Sequence, residues 1–313
     1  MSLEFKRIED PALWQKLLER SPQGTCFLET GFLDLFDSPY RLYGVFRGGV
    51  CIMGVPVIYA APLPWCYQQG PVFYDEVFKG GQAKSIQAEV ELAEFAIEEL
   101  AKHERRFRFS LSPTLTDVRG YDWVHYHDPD KPRCTLLPRY TATVSLEGAT
   151  RETMRLGARS ARRQEERYST EREKLSAVED GSVTELFALY AATFEKQDIA
   201  VPAEEKRLFN SYVAYFLESG RGHILVVRDD NGQALAAAFV FKDIDQVWHV
   251  PIIGVGQTRY GGTMLYFKIL DFALDRGGLS VDFDGANSPK RGYFKHSVGA
   301  SARLYFEVRY HDE

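Results

Sequence analysis

The sequence predicts an α/β chain, mixed α+β in detail, built from two domains of like topology. Three observations point there. At 313 residues the chain is long enough for two ordinary domains, each burying its own core. Apolar residues make up 45% and charged residues 26%, the balance of a globular protein. One order of elements also occurs twice without sequence identity between the copies: helices, a β-hairpin meander, one long helix, a strand, a short helix and a closing strand. The break falls near Arg139, separating residues 4–138 from 139–313. In such domains the meander strands are antiparallel, and the long helix crosses over to a parallel neighbour.

In the first half, Phe5 to Ile8 alternate as a short strand. Asp10-Pro11 then opens a helix through Leu18, with Asp as N-cap and Pro at the first position. Gly31 to Phe36 reads as a short helix. Tyr40 to Phe46 and Val50 to Tyr59 are β-rich runs joined across Arg47-Gly48-Gly49, a hairpin signal. Pro62-Leu63-Pro64 leads into Trp65 to Gln68, read as a third strand. From Ala83 to His103, Ile86, Val90, Ala93, Ile97 and Leu100 form one helical stripe. Phe107 to Leu111 follows as a strand, Pro113 to Arg119 as a helical turn and Tyr121 to Tyr126 as another strand.

Arg139 to Leu146 alternates and forms the crossover between halves. Thr150 to Tyr168 reads as one basic helix carrying Arg151, Arg155, Arg159 and Arg162. Lys174 to Val178 is a short strand; Ser182 to Lys196 and Ala203 to Leu217 are helices. His223 to Arg228, Ala234 to Lys242 and Gln246 to Val255 are three β runs, the first pair turned by Asp230-Asn231-Gly232. Gly262 to Asp275 is an amphipathic helix ended by Gly277-Gly278, and Arg303 to Tyr310 is the last strand.

Composition excludes some functions. A net charge of −6 argues against bulk binding to DNA, and no window approaches eighteen uninterrupted apolar residues, so no transmembrane segment is expected. Cys26, Cys51, Cys66 and Cys134 fall in no CxxC spacing and read as isolated reduced thiols in a cytoplasmic protein. His125 and His127 share one strand face, but no third ligand accompanies them, so no metal site is expected.

The chemically richest stretch lies near the end. Leu279 to Gly285 reads as a buried strand broken at a glycine, followed by a Ser288-Pro289 turn and the segment Tyr293-Phe294-Lys295-His296. Strand alternation puts Asp282 and Asp284 on one side, Val281 and Phe283 on the other. Strand-to-helix junctions of this kind are where small ligands sit.

The order of elements with this ending resembles the GNAT superfamily, and within it the tandem-GNAT proteins related to Fem-type peptidoglycan-bridge aminoacyltransferases. The resemblance rests on Leu111-Ser112-Pro113 with Asp117-Val118-Arg119 and Trp123, on Arg139-Tyr140-Thr141 with the arginine-rich helix, on Gly254 to Leu265, and on Asp282-Phe283-Asp284-Gly285-Ala286 with Phe294-Lys295 and Gly299. It implies two GNAT-like domains and transfer of an acyl group to an amine, with no tightly bound cofactor. The implied donor is acyl-CoA or an acyl carrier protein as cosubstrate, or aminoacyl-tRNA acting on a nucleotide-linked cell-wall precursor. Superfamily base rate, the acidic chain and the lack of a long basic arm favour the thioester. The family's Arg/Gln-x-x-Gly-x-Gly/Ala loop is only half kept in Arg259-Tyr260-Gly261-Gly262-Thr263-Met264, since Met264 stands where a small residue belongs.

The resemblance implies that Lys295 contacts the donor ester or a nearby phosphate beside Phe294, in a cleft between the domains. Arg259, Tyr260, Gly261, Gly262 and Thr263 then bind the donor. For Asp282 and Asp284 two roles stay open: removing or orienting a proton of the amine, or capping a turn and pairing with an arginine. Trp248, His249 and Asn287 are candidates for the acceptor pocket. The arginine helix has three readings: phosphate binding, a solvated face paired with Glu152, Glu165 and Glu166, or contact with anionic lipid. No Gly-x-Ser-x-Gly motif and no Cys-His pair suggests a covalent intermediate. A different class also fits, a non-catalytic module binding a sugar nucleotide or a peptide.

Overall fold

The computed structural model describes residues 2–61, 65–195 and 201–311. The expected Pro62-Leu63-Pro64 lead-in and the Lys196 helix end lie outside them. The chain divides into two compact units, Met1–Arg139 with Leu304–Glu313, and Tyr140–Arg303.

In the first unit, β1 (Leu3–Arg7) precedes α1 (Pro11–Glu19), whose start follows the sequence signal: the Asp10 carboxylate accepts from the Ala12 amide at 2.9 Å and Pro sits in the first turn. Then come α2 (Thr30–Leu33), β2 (Tyr40–Arg47) and β3 (Val50–Ile58). Gly48 and Gly49, at φ +57° and +83°, turn β2 into β3, a conformation that favours glycine. The third strand is β4 (Val72–Phe73); Trp65 to Gln68, expected to be that strand, forms none. The four strands make an antiparallel sheet in chain order. α3 (Gln82–Ala101) buries Ala93, Ile97 and Leu100 of the predicted stripe together with Leu92 and Ala96, while Ile86 and Val90 are only half-buried. After β5 (Arg106–Ser110), α4 (Arg119–Asp122) occupies part of the run read as a strand from Tyr121 to Tyr126. His125 is in a turn at φ +57° with Nδ1 2.8 Å from the Pro132 carbonyl, so it shares no strand face with His127. Aromatic content misled the reading there, because tertiary packing outweighs β propensity.

The second unit is built on β6 (Thr135–Ser145), which enters it from the first. The expected single basic helix is two, α5 (Arg151–Gly157) and α6 (Ser160–Glu171). They break at Ala158, which has extended backbone at ψ 154°, and at Arg159, whose amide donates to the Ser297 carbonyl instead of to a helix partner. β7 (Ser176–Val178), α7 (Val183–Glu195) and α8 (Ala203–Glu218) follow. The meander is β8 (Gly222–Arg228), β9 (Ala234–Lys242) and β10 (Val247–Val255), all antiparallel. α9 (Gly261–Asp275) crosses over to β11 (Ser280–Gly285), which pairs parallel with β10, and α10 (Pro289–Ser297) closes the unit. Gly277, at φ +65°, ends α9 by returning its amide to Leu274 while the Gly278 amide reaches Ala273. The strand order is β6-β11-β10-β9-β8-β7. α9 packs its buried face, including Leu265, Ile269, Leu270 and Ala273, into a core shared with Val250, Val281 and Phe283.

The last strand, β12 (Ser301–His311), pairs antiparallel with β5 from Glu307↔Ser110 to His311↔Arg106. Its Val308 and Tyr310 belong to the first core, so Leu304–Glu313 falls in the first unit and not in the second, where the sequence reading put it. Among the described residues no helix is long and apolar enough to cross a membrane.

Candidate functional site

The site lies where two parallel strands part. β10 and β11 pair at Val247↔Ser280, Trp248↔Val281 and His249↔Asp282, and there the ladder ends. Two local irregularities separate them. On β10 the register with β9 shifts between His249 and Ile252, across Pro251, which has no N–H to give a neighbour. On β11 the register with β6 shifts between Asp282 and Gly285, across Asp284 at φ +61°. Ile252 to Val255 then run with β9, and Gly285 runs with Thr141 of β6. The carboxyl ends of β10 and β11, with α9 and α10 after them, therefore border an opening in the sheet.

Lys295 is 8% exposed, and its ammonium donates to the carbonyls of Phe283 (2.6 Å), Asp284 (3.0 Å) and Gly285 (2.7 Å). An ammonium has three donors, and these three bonds use them all. Lys295 therefore holds the kinked end of β11, and a direct bond to an oxyanion requires it to release a carbonyl. That differs from the free cation the resemblance implies. Burial pushes the ammonium below the usual lysine range, while Asp284 and Asp282 pull it back up.

The aspartates have different surroundings. Asp282, 3% exposed, accepts from the Thr141 hydroxyl and, at 2.7 Å, from the Asp284 amide. Asp284, 8% exposed, accepts from the Gly285 amide at 2.9 Å. Burial, then the neighbouring Asp282, pushes the Asp284 carboxyl up to about 6, against the opposing charges of Lys295 and His249. Both aspartates thus accept from backbone amides of the turn that ends β11, which is the capping half of the second role left open for them.

His249 is 1% exposed, its Nε2 3.3 Å from Oδ2 of Asp243 and its ring stacked on Phe241 at 5.2 Å. Burial works against its charge, but the close approach and charge of Asp243, helped by Asp282 and Asp245, push it up to about 9. It is buried at the last paired position of the β10–β11 ladder. Trp248, named with it, is a core side chain edge-on to Phe272 at 5.0 Å. Asn287 accepts from the Tyr140 amide at 2.8 Å and extends the β6–β11 ladder past Gly285.

The start of α9 is stabilised by this chain's own side chains. The Gly261 amide donates to Thr258 Oγ1 at 2.9 Å, and Thr258 donates to Glu173 at 3.1 Å. A Cβ on Gly261 would stand 2.8 Å from the Thr258 side chain, so this turn requires glycine; at Gly262 a Cβ would meet only ordinary contacts. Thr263 donates to Glu165 at 2.6 Å, and Arg162 bonds both Glu165 (2.5 Å) and Thr263 (3.2 Å). Tyr260 is buried against Tyr168 at 5.8 Å, and exposed Arg259 lies over the Tyr260 ring at 5.3 Å. Two carboxylates thus stand at the start of α9, Glu165 paired with Arg162 and Glu173 with Thr258.

Most of the arginine face is paired internally. Arg155 bonds Glu166 and Asp271, Arg151 bonds Asp275 at 2.5 Å, and Arg163 caps the end of α5 through the carbonyls of Arg155, Leu156 and Ala158. Arg162 also lies over the Phe294 ring at 4.2 Å and bonds Ser297 at 2.8 Å, fastening α6 to α10. Sequence reasoning missed Asp243, Thr258 and Glu173, and it named Thr141, Arg162 and Glu165 without the partners they take here, because those meet only through strand register and helix packing. Among the described residues the four cysteines form no disulfide.

Residues 148–295 match the GNAT acetyltransferase domain family. Among solved structures the chain is similar to FemX, at 11% identity over 97% of this chain and 96% of that one, with TM-score 0.66. It is also similar to a tandem GNAT protein from the clavulanic acid biosynthesis pathway (13%, 99% and 98%, TM-score 0.54) and to L-PGS from Bacillus licheniformis (12%, 97% and 92%, TM-score 0.51). No curated protein matches.

Proposed function

We propose that the second unit transfers an acyl group from an activated donor to an amine at the opening between β10 and β11. The chain has the tandem-GNAT fold and its second unit carries a GNAT acetyltransferase domain, the fold of acyltransferases. The observation that carries the reading is the end of the β10–β11 ladder at His249–Asp282, past which β10 pairs only with β9 and β11 only with β6.

Acyl transfer to an amine needs a neutral amine, a seat for the donor carbonyl and charge compensation for the tetrahedral oxyanion. The parted strands give the carbonyl a backbone edge. Asp284, with its carboxyl raised towards neutrality, takes a proton from the incoming ammonium at pH values above about 6. Lys295 positions Asp284 by fixing the carbonyls of Phe283 to Gly285, and its charge favours an oxyanion nearby. Arg259 and Phe294 flank the donor's path.

The donor is a thioester or ester that does not dock a diphosphate on the start of α9, since Glu165 and Glu173 stand there. An acyl carrier protein meets that condition. So does aminoacyl-tRNA, and one observation favours it as the second reading. Exposed Lys290 and Arg291 on α10, with exposed Arg159 and Arg259, make no ion pair among the described residues. An acceptor in a nucleotide-linked cell-wall precursor belongs with that second reading.

Calorimetric titration with acetyl-CoA, a long-chain acyl-CoA, an acyl carrier protein thioester and a charged tRNA tests this. Binding of the carrier thioester or the tRNA well above that of acetyl-CoA is expected. Binding to none of the four removes the enzyme reading and leaves a non-catalytic module.

A further inference from the structure

The buried pair His249–Asp243 sits directly behind the opening without reaching it. Its place is set by three facts. His249 and Asp282 are the last paired residues of the parallel ladder, so His249 stands at the apex of the divergence. The pair lies 3.3 Å apart with both side chains sealed from solvent, and the imidazole is stacked on Phe241. Asp243 follows β9 and bonds through its amide to the Val247 carbonyl, so the turn carrying it is tied to the start of β10.

The charges facing His249 come from two places. Asp243 and Asp245 belong to the β9–β10 turn, and Asp282 and Asp284 to β11. The neighbouring β9 side chain, Phe241, is apolar. The charge of Lys295 on α10 acts on the same two β11 aspartates. Two buried cationic side chains therefore share two carboxyls, and the carboxyls lie on the strand whose distortion makes the opening. Isolated buried charge is expensive, so a cation removed from this set leaves a carboxyl without compensation.

We infer that His249, clamped by Asp243, is a positioning residue for the transfer site: its imidazolium holds the Asp282 carboxyl, which in turn fixes the Thr141 hydroxyl and the Asp284 amide and so sets the kink over which Lys295 closes. This explains why a non-glycine residue keeps φ +61° at Asp284: the conformation is over-determined by Asp282 on its amide and Lys295 on its carbonyl. It also ties the geometry of the reacting edge to a charge buried one strand away.

The activity part of the inference rests on the transfer reaction proposed above, whereas the charge of His249 does not, and the two are measured separately. In the full-length chain with 15N-labelled histidine, one of the seven imidazoles should remain doubly protonated at pH 7.5, and His249→Gln should remove that signal. Asp243→Asn should move its titration down by at least about one unit. A neutral His249 at pH 7 in the wild type, or a titration unmoved in Asp243→Asn, overturns the inference whatever the enzyme does.

With a donor and an amine that react, Asp243→Asn should lower kcat about tenfold while leaving donor KM within about twofold, because the reacting edge shifts without losing a contact to donor. The alkaline limb of its rate profile should also move to lower pH, which a change in stability alone would not produce. A kcat equal to the wild type's, with the alkaline limb in place, removes the positioning role. If His249→Gln does not fold, Asp243→Asn alone decides the matter.

Discussion

Each unit buries carboxyls, and a pair of them behave in opposite ways. Glu104, at the end of α3 in the first unit, is 6% exposed and collects three donors: Tyr43 and Tyr59 hydroxyls at 2.6 Å and Arg41 at 2.8 Å. Burial pushes its carboxyl up, but the bonds from the tyrosines and Arg41 more than reverse that and hold it low. Asp284 in the second unit is about as buried, yet it faces another aspartate and its nearest cation is spent on backbone carbonyls. Its carboxyl is held up near 6. Burial is common to both. What separates Glu104 from Asp284 is the supply of donors, and Glu89 on α3, whose buried Oε1 has no hydrogen-bond partner among the described residues and whose carboxyl burial pushes up to about 7, shows the same shortage within the first unit.

The comparison can be broken at several points. Glu104→Ala should have the largest effect on stability, because it leaves two tyrosine hydroxyls and a guanidinium without their acceptor. A loss of about 3 kcal/mol is expected, read as a fall in thermal midpoint. A loss under about 1 kcal/mol would mean that water replaces the carboxylate and that Glu104 is no structural anchor. Lys295→Ala comes next, at about 2 kcal/mol, since three carbonyls on a distorted strand lose a charged partner. The same variant should lose at least about tenfold in turnover. Full turnover with reduced stability would confine Lys295 to holding the fold.

Asp284→Asn should cost little stability, because Asn tolerates positive φ and the native carboxyl is already near neutral. Its effect should instead appear in pH dependence. A carboxyl raised in the folded state contributes most below its unfolded value, 3.8, and that contribution is lost as pH rises through about 6. The wild type should therefore lose stability relative to Asp284→Asn between pH 4 and pH 7. Glu104→Gln should show the reverse sign, with the wild type's advantage present above the unfolded value of 4.5 and shrinking as pH falls below it. Parallel pH curves for the two variants would erase the distinction drawn between Glu104 and Asp284. The smallest effect concerns salt. Doubling ionic strength should weaken charged-tRNA binding severalfold if Arg159, Arg259, Lys290 and Arg291 meet phosphates, and should leave carrier-protein binding less affected.

What could be read in the sequence follows from how local each signal is. The Asp10-Pro11 helix start, the Gly48-Gly49 hairpin and the Gly277 helix end depend on one to three residues, and each forms as expected. The antiparallel meander with a crossover to a parallel strand was legible from the order of elements. The break between α5 and α6 was not, because Gly157 alone does not end a helix in so long a run and nothing local shows that the Arg159 amide binds Ser297. The site shows the same limit. Asp282, Asp284 and Lys295 stood out as a motif, but whether Lys295 is free or saturated depends on where three carbonyls point. The place of His249 opposite Asp282 depends on strand register, and the carboxylates at the start of α9 arrive from α6 and from Glu173, far off in sequence.

The central claim is that the donor is held where β10 and β11 part. Hydrogen–deuterium exchange of the full chain, with and without a saturating donor found by calorimetry, tests it most directly. Protection should concentrate in peptides covering residues 250–263 and 283–296. Protection confined to the first unit, or to α6 alone, with those two segments unchanged, would place the donor elsewhere and contradict it.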